Sequence, residues 1–161
     1  MSAQLQERYP LQVWAQNPLL RTPCVPVQKI NKEIKEFGLA LLELMRIYDG
    51  VWLAAPQVGK TIRMAAFTQR DTTTQPRTHT YEDVMINPKI LSQSQETDVD
   101  SEWCLSLPWV TWSVARPREI TVAYTDLDGK QQIRKAHNYN ARIILHEIDH
   151  LDGVLFTDKL V

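Results

Sequence analysis

The chain has 161 residues, 43% of them hydrophobic and 23% charged, and its 18 basic side chains against 19 acidic ones leave a net charge of −1. That length is expected to form one domain, residues 1–161, which buries a core without disulfide or metal staples. The near-neutral balance offers no field for nucleic acid or an anionic membrane, and no stretch approaches the ~18 apolar residues of a membrane span.

Residues 1–29 hold Pro10, Pro18, Pro23 and Pro26, which predicts an irregular, extended lead-in. They lack the apolar core of a secretory signal, so Cys24 and Cys104 are expected as free thiols in the cytoplasm. From about Asn31 to Asp49, Ile30, Ile34, Phe37, Leu41, Met45 and Tyr48 form one helical stripe. Asn31 suits the N-cap, Gly50 the stop, and Gly38 inside costs about 1 kcal/mol. Ile62, Met64 and Ala66 alternate as a strand, and the polar run Thr68 to Thr80 predicts a loop.

Short strands are predicted at 84–86 and 90–91 around an Asn87-Pro88 turn, and further strands at 110–114 and 120–125. The last enters a hairpin turn at Asp126-Leu127-Asp128-Gly129. A late helix follows from Asn138 to Leu151. The pattern predicts an α+β fold: an N-terminal helix, and antiparallel sheets around a central C-terminal helix.

That late helix carries His146-Glu147-Ile148-Asp149-His150, an H-E-x-x-H pattern. Each residue advances a helix by ~100°, so two histidines four apart share a face and both imidazoles reach one metal ion. Glu147 projects beside them as a general base rather than a ligand. The plain alternative is an exposed polar face with no chemistry.

A third ligand leaves one position open for water, and Cys104 in Ser101-Glu102-Trp103-Cys104-Leu105-Ser106-Leu107-Pro108 is the best candidate. The commoner fate of a lone cysteine, a small buried hydrophobe, competes with that role. His79 and His137 stand in polar surroundings without partners at ligand spacing and read as surface residues. The segment from Gly50 to Gly59 offers small Ala54 and Ala55 for close packing and Gln57 as an amide donor. Alone it reads equally well as a buried turn.

Taken in order, these three segments resemble the peptide deformylase family, whose motifs have the forms G-x-G-x-A-A-x-Q, E-G-C-x-S and H-E-x-D-H. The third matches fully. The second matches at Glu102, Cys104, Leu105 and Ser106, and the first at Gly50, Leu53, Ala54, Ala55 and Gln57. Asn17-Pro18-Leu19-Leu20-Arg21, Ile86-Asn87-Pro88, Arg116-Pro117 and Leu155-Phe156 extend the likeness from about Pro10 to Leu160.

The resemblance implies a metalloamidase that removes the formyl group from the N-terminal formyl-methionine of nascent peptides and releases formate. Cys104, His146 and His150 would hold the metal, ferrous iron in the cell, with zinc, nickel or cobalt as substitutes. Glu147 would move the proton, and Gln57 with the Leu105 backbone N–H would donate to the developing oxyanion. Arg116 and Asp149 would orient the ligands. Gly50, Val51, Trp52, Leu53, Glu102, Trp103 and Ile143 would line the peptide cleft.

Two motif glycines are tryptophans here, Trp52 and Trp103, with Trp109 and Trp112 close by in sequence. The rings point away from the cleft, reshape it, or block it. The retained ligands, Gln57 and Glu147 favour a reshaped cleft. The alternatives to the main reading are thus a hydrolase of another small N-acyl amine and a non-catalytic metal- or peptide-binding relative. Eight residues follow Gly153 (161 − 153 = 8). Many members continue into a further helix that docks on the ribosome, so this short tail speaks against such docking.

Overall fold

The computed structural model describes residues 2–71 and 78–161. Among these are three α-helices, α1 (Ser2–Arg8), α2 (Lys32–Ile47) and α3 (Asn138–Leu151). The strands are β1 (Trp52–Ala54), β2 (Met64–Asp71), β3 (Thr78–Gln93), β4 (Thr97–Cys104), β5 (Leu107–Pro117), β6 (Glu119–Thr125) and β7 (Gln131–His137). Five strands form an antiparallel sheet in the order β1-β2-β3-β6-β7, and β4 and β5 form a separate two-stranded ribbon. The expected α+β architecture is what folds.

Strand alternation divides the core into two layers. On one face of the five-stranded sheet, Leu53, Met64, Ala66, Val84 and Ile86 pack against Phe37, Leu41, Leu44 and Met45 of α2. On the other, Trp52, Phe67, Met85, Val122 and Tyr124 pack with Ala141, Ile143 and Ile144 of α3. The sheet therefore lies between an early helix and a late one, and β1, at its edge, offers Trp52 to the α3 side.

The N-cap of α2 is as predicted: the Asn31 side chain accepts from the Ile34 N–H at 2.9 Å. Its stop differs. Asp49, not Gly50, takes the left-handed conformation at φ 52°. The N–H groups of Asp49 and Gly50 donate back to the Arg46 and Met45 carbonyls at 3.0 and 2.9 Å, the pairing of a Schellman cap. Gly50 is small for a different reason, because a Cβ there would stand 3.1 Å from Leu105 Cδ1.

Other local expectations are corrected. The lead-in is not extended throughout: it opens with α1 and makes a 3-10 turn over Pro18–Arg21. The supposed loop at 68–80 is strand to Asp71 and again from Thr78, while residues 72–77 lie outside the described residues. Asn87-Pro88 is no turn but a bulge inside the continuous β3, where the pairing register shifts between Ile86 and Lys89. Asn87 takes φ 52° there, and its side chain bonds both the N–H and the C=O of Val27, so backbone of the lead-in replaces the interrupted ladder. The hairpin turn at 126–129 forms as expected, with Gly129 at φ 83°.

Helix α3 ends in a second Schellman cap. Gly153 at φ 73° and Val154 donate to the carbonyls of His150 and Asp149. A Cβ on Gly153 would stand 2.7 Å from the Arg21 carbonyl oxygen, so both conformation and space require glycine. No helix among the described residues is long and apolar enough to cross a membrane.

Candidate metal centre

Helix α3 turns His146, Glu147 and His150 inward, and all three are buried rather than exposed on a polar face. The end of β4 brings buried Cys104 against them, with Cys104 Sγ 3.2 Å from His150 Nε2. One ligand atom from each of Cys104, His146 and His150 lies within 4.8 Å of the other two, close enough to share one ion.

The polar atoms around this point lack partners. His146 Nε2, His150 Nδ1 and both Glu147 carboxylate oxygens are buried without a hydrogen bond among the described residues. Buried polar groups are expensive when unsatisfied. A cation between the Cys104 thiolate and the two imidazoles would take up His146 Nε2, and a proton-bearing molecule would satisfy the Glu147 oxygens, so the donor set fits a metal ion. Without a cation, burial and then the Glu147 charge push the Cys104 thiol up to about 12. Burial, then the charges of Asp149 and Glu102, raise the Glu147 carboxyl well above its ordinary value. Burial, with His146 next, lowers His150 well below its own. A positive ion would reverse the sign of the local field.

Behind the imidazoles lies a buried ionic network. Glu102 Oε2 is 2.9 Å from His146 Nδ1. Arg116 binds both Glu102 oxygens at 2.8 Å, and Arg142 reaches Oε1 at 2.8 Å. Burial alone would raise the Glu102 carboxyl, but hydrogen bonds from Arg116 and His146 hold it well below the carboxylate range. Arg116 also pairs with Asp149, whose other oxygen accepts from Lys159 Nζ at 2.7 Å. Arg142 adds bonds to the backbone carbonyls of Val114 and Asp98 at 2.9 and 2.8 Å.

This corrects one expectation. Glu102 does not line an open cleft: it is buried with its oxygens taken by two guanidiniums and a histidine. Arg142 was not singled out from the sequence, although it precedes His146 by four residues and so shares its helix face.

Gln57 is held in one orientation. Its Oε1 accepts the Ala54 N–H at 2.8 Å, while its amide nitrogen donates to Ser106 Oγ at 3.1 Å and lies 3.4 Å from Cys104 Sγ. The N–H groups thus face the Cys104 side of the candidate metal site. In the sequence Ser106 stands only as a motif match, and its part in fixing Gln57 appears with the fold.

The remaining cleft residues divide. Gly50 approaches Leu105 across the gap between β1 and the end of β4. Leu53 turns its side chain to the α2 layer, leaving only backbone on the cleft side. Val51, Trp52 and Ile143 share the α3 layer. Ring centroids of Trp52 lie 5.4 Å from His146, 5.8 Å from Trp103 and 6.5 Å from Tyr139. Phe156 stacks against His146 at 6.0 Å. Trp109, at φ 68°, is 99% exposed at the ribbon tip, Trp112 is also exposed, and Trp103, although it lies against Trp52, is itself 43% exposed. His137 is exposed and pairs with Glu119 at 3.3 Å, as a surface residue should. The His79 side chain lies outside the described residues. Cys24 and Cys104 are free, buried thiols.

The family model for polypeptide deformylase matches residues 12–161. A peptide deformylase of Roseiflexus castenholzii is 42% identical over 150 residues, which is 88% of this chain and 81% of that protein. Among solved structures, peptide deformylase from Thermotoga maritima superposes with a TM-score of 0.84 at 35% identity, covering 95% of this chain and 97% of that one. A Met-Ala-Ser-bound class I type b peptide deformylase from Acinetobacter baumannii gives 0.86 at 28% identity, covering 94% and 98%.

Proposed function

This chain belongs to the polypeptide deformylase family, and from that premise and the arrangement of its buried groups we infer which residues carry the reaction. The protein is a metal-dependent hydrolase that removes the formyl group from N-terminal formyl-methionine of nascent peptides and releases formate. Cys104, His146 and His150 are its metal ligands, and ferrous iron its resident ion. Zinc, nickel and cobalt suit the same donors, because a thiolate with two imidazoles selects no single ion. A cation bound there supplies Lewis acidity and a nucleophilic water at neutral pH.

The chain's own groups do the rest. Glu147 accepts the proton released as the formyl carbon is attacked, and its unpartnered buried carboxylate is the observation that carries this reading. It then returns that proton to the departing amine. Gln57, fixed through Ala54 and Ser106, donates its N–H to the oxygen on which charge develops, together with the Leu105 backbone N–H. Arg116 and Asp149 act at one remove: Asp149 pairs with Arg116, Arg116 and Arg142 hold Glu102, and Glu102 holds the His146 ring. The peptide enters between the Gly50–Leu53 segment and Trp103, with Ile143 beneath. Reduced, buried thiols at Cys24 and Cys104 agree with a cytoplasmic setting.

The test is formate release from formyl-Met-Ala-Ser by protein reconstituted anaerobically with ferrous iron, beside Glu147→Ala. We expect turnover in the parent and its loss in the variant. A fully metal-loaded parent that released no formate would overturn the reading.

A further inference from the structure

The formyl group must reach the point enclosed by Cys104, His146, His150 and Glu147, so the side chain next to it lies within one residue's length of the His146 ring. The walls of that neighbourhood are defined. Alternation along β1 sends Leu53 to the α2 layer and Trp52 to the α3 layer. There the indole lies over a single stripe of α3, with Tyr139 at 6.5 Å and His146, seven residues on, at 5.4 Å, and with buried Ile143 midway along that stripe. Trp103 closes the outer side at 5.8 Å, and Trp52 is left only 6% exposed. Beside them Gly50 and Leu105 approach across the same gap. Glycine at positions 52 and 103 would leave this space to the substrate, and here an indole fills much of it.

We propose that Trp52, backed by Trp103, is a specificity-determining residue: it narrows the space for the side chain that follows the formyl group. The site then accepts slim, unbranched side chains, methionine included, and turns away aromatic ones. The proposal rests on the deformylase reading above but concerns only selection among formyl peptides. Rings packed at 5–6 Å centroid separation are held to one another by dispersion and quadrupole contacts. A flexible thioether chain can slide past such rings where a rigid phenyl ring cannot.

The measurement is kcat/KM for formyl-Ala-Ala-Ser, formyl-Met-Ala-Ser and formyl-Phe-Ala-Ser with the full-length metal-loaded protein. The parent, Trp52→Leu, Trp52→Gly and Trp103→Gly are compared at equal metal content. Trp52→Leu keeps a buried apolar side chain in case the glycine variant does not fold. Calorimetric binding of the product peptides Ala-Ala-Ser and Phe-Ala-Ser supplies a readout independent of turnover.

The expected result is a parent that favours Met over Phe, and a Phe-to-Ala ratio that rises at least tenfold in Trp52→Leu, mainly through KM. A smaller rise is expected in Trp103→Gly, and the same order in product binding. A parent indifferent to Phe, or a Leu variant in which all substrates and products change in parallel, would overturn the proposal. Absence of formate from every substrate strikes the deformylase reading instead, and the product-binding ratio then decides this one.

Discussion

His146 Nδ1 lies 2.9 Å from a Glu102 oxygen, with both residues buried. That contact fixes which nitrogen of His146 is left to face Cys104 and His150, and it makes the imidazole a stronger donor. Glu102→Gln keeps the shape but removes the charge that Arg116 and Arg142 share. We expect a loss of about 10–100-fold in metal affinity or activity. Metal per chain after passage over a chelating resin, together with kcat/KM, checks it. Unchanged values in both would reduce the contact to packing.

Ligand and base should separate cleanly. Cys104→Ala, His146→Ala and His150→Ala are expected to lose the ion, seen by elemental analysis of the purified protein. Glu147→Ala should keep it while turnover falls by about 10²–10⁴-fold. A Glu147 variant that lost the ion as fully as the cysteine variant would place Glu147 among the ligands.

Gly153→Ala tests the cap that ends the catalytic helix. The new methyl would meet the Arg21 carbonyl at 2.7 Å in a residue already at φ 73°. A left-handed non-glycine residue alone costs about 1–3 kcal/mol. For a chain of this length each kcal/mol lowers Tm by about 2–4 °C. Calorimetry on the metal-free protein should therefore show a clear drop, and an unchanged Tm would mean that the 150–154 turn relaxes freely.

Cys24 supplies a pH test remote from the ligands. Burial, offset by Arg63 and assisted by Asp152, raises its thiol from 9.0 to about 11. Its folded pKa lies above the unfolded one. The associated stability is therefore complete below pH 9 and lost as pH rises through 11. In a Cys104→Ser background, alkylation by iodoacetamide at pH 8, followed by intact mass, should run about 100-fold slower than for a free thiol. Full labelling within minutes would contradict the burial.

The parts of the molecule legible in the sequence are those where local pattern and global fold agree. The stripe from Ile34 to Met45 fixed α2, and the four-residue spacing of His146 and His150 fixed their shared face. Strands β4 and β7 escaped because Thr97–Asp100 and Gln131–Lys135 are polar, and their pairing comes from partners distant in sequence. The Asn87 bulge read as a turn because its meaning lies in Val27, 60 residues away. Glu102 shows the same limit at the site. The family resemblance set it in the cleft wall, but two arginines that pair with it across the fold make it a buried anchor.

Among the described residues the β4–β5 ribbon shares no ladder with the five-stranded sheet. Arg142 fastens it to α3 through the carbonyls of Asp98 and Val114, and Cys104 reaches the imidazoles from its end. An ion held by that sulfur and the two rings therefore works as a rivet through two plates. Loading the cation and pressing the ribbon onto the helix become a single thermodynamic event, with each strengthening the other. Stripped of its rivet, the molecule should breathe first along this seam, and amide exchange in β4 and β5 would then report ion occupancy as directly as catalysis does.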